Sequence, residues 1–96
     1  MNELQRLQKA QTLLETVLDN MANLPKALDE WPKVEPENDK LLDTAWWQLI
    51  YLQNDSDIIQ REPEYKERLL NDLKSICSKV NRRIENRVTH QADGNQ

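Results

Sequence analysis

Glycine is almost missing from this chain: there is one in 96 residues, Gly94. Residues 1–93 therefore hold no P-loop, no G-x-G-x-x-G dinucleotide turn and no Asn-Gly hairpin turn. A β-rich chain normally needs such turns, so the shortage points to helices. Histidine and cysteine also occur once each, as His90 and Cys77. One cysteine forms no internal disulfide, and one histidine with one cysteine excludes H-E-x-x-H and Cys/His zinc sites. Long apolar runs are missing too. The longest is Leu49-Ile50-Tyr51-Leu52, far short of the roughly 20 residues a membrane helix needs. The opening residues, MNELQRLQKAQ, contain no apolar h-region of a signal peptide. Together these features lead to the expectation of a cytoplasmic protein in a reducing compartment, with no membrane partner.

What the chain has in quantity is charge: 31% of residues, against 38% hydrophobic. Typical soluble domains have about 25% and about 45–50%. A lean core under a polar surface is expected, in one domain whose folding buries roughly 60–65% of the unfolded surface. Net charge is −4 and the pI is near 5.0, which opposes general binding to nucleic acid or anionic lipid. The charge is segregated. Residues 29–43 carry −4, residues 54–67 carry −3 and residues 74–87 carry +4.

Periodicity predicts three long helices. In residues 3–24, Leu4, Leu7, Leu14, Val17, Leu18 and Met21 recur at helical spacing, with Ala10 and Leu24 at the margins. Pro25 is expected to end this helix, because the residue before a proline avoids the α region. A single helical turn over Lys26 to Trp31, with Pro25 as its first residue, would suit the same sequence. Three of the four prolines lie in residues 25–38. That segment is expected to run extended through Pro32 and Pro36, pinned by Leu28, Trp31 and Val34.

The middle helix, about 39–53, takes Asn38 or Asp39 as N-cap. Leu41, Leu42, Ala45, Trp46, Leu49, Ile50 and Leu52 form its apolar arc. Both outer helices are expected to pack against it. Residues 54–62 read as a polar turn anchored by Ile58 and Ile59. The third helix opens with Pro63 at its first position and runs to about Val88 on a stripe of Tyr65, Leu69, Leu73, Ile76, Cys77, Val80 and Ile84. Thr89 to Gln96 shows no apolar period and is expected to be a disordered tail beyond a domain of residues 1–88.

Chemistry is scarce. His90 has no neighbouring nucleophile held in place, so neither a Ser-His nor a Cys-His site is expected. Cys77 lies on the apolar stripe, as an inert core cysteine does. Asp55-Ser56-Asp57 resembles the start of a calcium loop but lacks the glycine and the closing glutamate, and turn or capping duty explains it better. Asp39 and Asp43, with Glu64 and Glu67, are acid pairs that a magnesium-dependent helical phosphohydrolase would use. They lie at helix N-termini, where carboxylates stabilise the dipole in any case. No enzyme, cofactor or metal is expected.

Two surface features remain. Trp47 and Tyr51 fall outside the middle helix's core arc, four residues apart, and so share one patch. Exposed aromatic pairs of this kind are enriched at interface hot spots. Either the Pro-rich segment with Trp31 covers them, or another protein does. Lys79, Arg82, Arg83 and Arg87 make the end of the third helix basic. Lys79, Arg82 and Arg83 share a sector that suits a phosphate backbone, although cations there also complement the helix dipole.

The expectation is thus an all-α, antiparallel three-helix bundle with a Pro-rich connecting segment after helix 1. Its middle helix is the shortest, which leaves apolar ends that a homodimer would cover. Functionally it reads as a small non-enzymatic protein–protein interaction factor (an adaptor, inhibitor or immunity-type protein), binding itself or another protein through Trp47, Tyr51, Trp31 and Asp43. The alternative is a nucleic-acid-binding accessory protein using Lys79, Arg82, Arg83 and Arg87.

Overall fold

The structure, a computed structural model, describes residues 3–32 and 39–94. The described residues are all-helical: five α-helices and one 3₁₀ turn. The helices are α1 (Glu3–Asp19), α2 (Leu24–Glu30), α3 (Lys40–Asn54), α4 (Ser56–Arg61) and α5 (Pro63–Gly94), with the 3₁₀ turn at Met21–Asn23. The fold is thus more divided than three helices.

The first division falls at Asn20. Its backbone is extended (φ −154°, ψ 116°) and its side chain accepts a hydrogen bond from the Ala22 amide. Asparagine competes with the helix for backbone partners in this way, and an apolar pattern running on to Leu24 does not outweigh it. Pro25 therefore does not end a helix. It sits in the first turn of α2, where its missing N–H costs nothing. The second division falls at Asp55 (φ −95°, ψ 20°), which separates α3 from α4 where a plain turn was expected. Of the two isoleucines there, Ile59 is buried and Ile58 exposed.

Of the two N-cap candidates, Asn38 and Asp39, it is Asp39 that caps α3, its carboxylate accepting from the Leu42 amide at 3.2 Å. α5 opens at Pro63 and continues as helix to Gly94, through residues expected to be a tail. Once nucleated, a helix extends at little cost, and residues 89–93 contain no glycine or proline to stop it. Asn95, Gln96, Val34 and Pro36, and with them most of the predicted extended run, lie outside the described residues.

The element that organises the fold is α5, not the middle helix. Both α1 and α3 lie along α5, and α2 bridges α1 and α3. The side-chain pairs give the directions. Glu3 meets Arg83 and Arg87, and Gln11 meets Asn81, so α1 runs opposite to α5. Asp39 meets Arg83, and Gln48 meets the Leu69 carbonyl, so α3 does too. Both therefore start near Arg83 and run the same way along one spine, instead of alternating as in an up-down-up bundle. At about 1.5 Å per residue α5 is about 48 Å long, against about 25 Å for α1. Its last turns reach past the starts of both partners. The molecule accordingly extends 55 Å by 22 Å by 22 Å. Its radius of gyration, 14.5 Å, exceeds the roughly 12.5 Å expected for a compact chain of this length.

One hydrophobic cluster joins every α-helix. Leu7, Leu14, Val17, Leu42, Leu49, Leu52, Leu73 and Val80 are its fully buried large side chains. The predicted stripes supply nearly all of it; Leu13 and Ala27 are additions.

Candidate functional site

The residues singled out from the sequence divide into two groups. Trp47 and Tyr51 lie on the outer side of α3, 49% and 50% exposed, with ring centroids 6.4 Å apart and planes tilted by 35°. About half of each side chain stays open to solvent. Trp31, which with the Pro-rich segment is one of the two covers the sequence allows for them, is only 8% exposed and belongs to the core cluster. Its indole follows the end of α2 and packs inward because Ala27 and Leu24 turn that face of α2 toward the core. Asp43 is half-buried on the next turn of α3 toward its N-terminus. Asp43, Trp47 and Tyr51 are successive i, i+4 neighbours, so they form one ridge.

Asp43 also borders a cleft of about 270 Å³ between α2 and α3. Trp31, Pro32, Leu28 and Leu42 line it with apolar surface, Trp46 forms a half-buried wall, and Asp29 and Asp43 supply two carboxylates. Trp31 and Asp43, both predicted partner-binding residues, thus meet in this cleft rather than around Trp47. Trp46 packs against the core cluster, as its place in the apolar arc predicts, and also lines the cleft; Asp29 was not singled out from the sequence. The adjacent acids Asp29 and Glu30 at the end of a proline-started turn were the available signal.

Two of the four basic residues singled out are committed inside the chain. Arg83 Nη1 donates to Asp39 Oδ1 at 2.8 Å and Arg83 Nη2 to Glu3 Oε1 at 2.8 Å. Arg87 Nη2 reaches Glu3 Oε2 at 2.7 Å. The Arg83 guanidinium is therefore engaged within the chain, where it ties the starts of α1 and α3 to α5. Lys79 and Arg82 are exposed. Asp39, one of the acids considered for magnesium, is 4% exposed and paired with Arg83. Among the described residues no three His, Cys, Asp or Glu side chains gather in a metal-binding group.

Two titratable groups are shifted. Burial, with a smaller contribution from Glu15, pushes the Cys77 thiol above its ordinary value. That disfavours the reactive thiolate. The Tyr65 hydroxyl is raised chiefly by donating a hydrogen bond to the Asp55 carboxylate, a contact that also fastens α5 to the α3–α4 junction. No helix among the described residues is long and apolar enough to cross a membrane. The chain matches no protein-family model, no characterised protein and no solved structure at significant similarity.

Proposed function

We propose that this chain is a small, non-enzymatic, cytoplasmic protein–protein interaction factor whose contact surface is the Asp43–Trp47–Tyr51 ridge of α3. The observation that carries the reading is the paired, half-exposed rings of Trp47 and Tyr51 on a helix whose opposite face is already buried. Large aromatics are costly to leave in water and rich in binding energy once a partner covers them. The acidic surroundings of the ridge favour a basic partner, chiefly through the rate of association. A second copy of the chain and a different protein are both candidates for that partner.

The test compares wild type with Trp47→Ala/Tyr51→Ala, first by light scattering over a concentration series. A wild-type dimer that the double variant dissociates assigns the ridge to self-association. A monomer whose specific partner is captured by wild type and lost by the variant assigns it to another protein. A variant that keeps both its mass and its captured partner refutes the reading. Nucleic-acid binding remains as the alternative through Lys79 and Arg82. It predicts binding to duplex or single strands at about 50 mM salt that falls steeply as salt rises.

A further inference from the structure

The cleft beside the ridge has a composition that packing does not explain. Its floor is apolar, with Leu42 fully buried and Trp31 nearly so. Its rim carries two carboxylates, Asp29 and Asp43, and neither has a cationic partner among the described residues. Asp43 is accounted for in part, because it sits in the first turn of α3, where a negative charge is favoured. Asp29 is not. It is the penultimate residue of α2, next to Glu30, in a last turn without a basic residue. Free carbonyls at a helix end disfavour a carboxylate there. Two carboxylates beside the part-exposed Trp46 indole are matched by an organic cation, which gains from the ring and from the carboxylates.

Size narrows the occupant. A volume of about 270 Å³ falls below the range of about 300–1,000 Å³ that drug-sized ligands and cofactors occupy. It suits one long side chain. Leu28, Pro32 and Leu42 offer apolar surface to a methylene stem. Two carboxylates on different elements, in a cleft that the part-exposed Trp46 also lines, favour a planar guanidinium, which stacks on aromatic rings and pairs with carboxylates, over a compact ammonium. Asp43 belongs to both cleft and ridge, so a partner lying along Trp47 and Tyr51 reaches the cleft with its next contact.

We propose that the Trp31/Trp46 cleft is a receptor for an arginine side chain of the protein that binds the ridge. The source of the arginine rests on the protein-binding reading above; the cleft's preference for a guanidinium does not. The test titrates the full chain, at low salt, with acetyl-arginine amide, acetyl-lysine amide and the neutral isostere acetyl-citrulline amide. The readout is the indole N–H signals of Trp31, Trp46 and Trp47 by NMR. Saturable shifts with arginine are expected, larger for Trp31 and Trp46 than for Trp47, and absent with citrulline. Asp29→Asn and Asp43→Asn preserve shape and should each weaken binding about fivefold or more. Shifts that never saturate, that citrulline reproduces, or that both Asn variants leave unchanged overturn the proposal. Lysine binding as tightly as arginine overturns the guanidinium assignment.

Trp47→Ala/Tyr51→Ala separates the two readings, since it should abolish partner capture while leaving the arginine titration intact. Failure of the ridge then shows only in capture, and failure of the cleft only in titration.

Discussion

Removing the guanidinium of Arg83 should destabilise the fold more than its partial exposure suggests. Asp39 is 4% exposed and holds two bonds on one oxygen, from the Leu42 amide and from Arg83. In Arg83→Ala the carboxylate keeps the amide but loses the cation. Breaking a fully buried ion pair from one side costs about 3–5 kcal/mol. The Arg83 side chain is 32% exposed, so water relieves part of that, and the Glu3 arm, similarly exposed, adds at most about 1 kcal/mol. The expected loss is about 2–3 kcal/mol. For a chain of this size that lowers the Tm by roughly 10–20 °C, at about 4–8 °C per kcal/mol.

Asp39→Asn separates charge from capping. Asparagine caps as well as aspartate, and Arg83 keeps Glu3, so this variant should lose only about 1 kcal/mol. The double variant should be more stable than the sum of the single losses predicts, because an uncharged amide at position 39 no longer needs the cation. Urea unfolding of the four proteins completes the cycle. Additive losses, or an Arg83→Ala loss below about 0.5 kcal/mol, would refute the claim that a buried carboxylate is what Arg83 serves.

Other outcomes follow from the same packing. Leu73→Ala, at a fully buried position on the spine helix, should cost about 3–4 kcal/mol in urea unfolding. Trp47→Ala and Tyr51→Ala, each about half exposed, should cost about 1 kcal/mol apiece and leave the far-UV circular dichroism unchanged; a collapse of helicity would make those rings part of the core. Cys77 should resist thiol reagents in the native protein and react at a rate set by opening of the fold. Its raised pKa means the folded state holds the proton more tightly than the unfolded one. That contribution is fully present below about pH 8.5 and is lost as pH rises above it, so Cys77→Ala should flatten the alkaline fall in stability. Tyr65→Phe removes the bond to Asp55 and should lower stability modestly, with the loss confined to pH values at which the phenol is protonated.

The long helices, their apolar stripes and the N-cap at Asp39 were legible in the sequence because each is a local property. Spacing of 3.6 residues, a proline at a helix start or a short polar side chain before an apolar run acts within a few residues of itself. The Trp47–Tyr51 pair was legible for the same reason: four residues along one helix fix two rings as neighbours whatever lies beyond. Tertiary structure decided the rest. α5 became the spine because α1 and α3 both bury their apolar faces on it. Trp31 entered the core instead of covering Trp47, bringing Asp29 and Asp43 to one cleft. Arg83, one of seven basic residues along α5, found Asp39 44 positions away and Glu3 80 positions away. No periodicity encodes such a choice. It depends on which faces of distant helices meet, and a buried carboxylate draws in whichever cation the packing brings within reach.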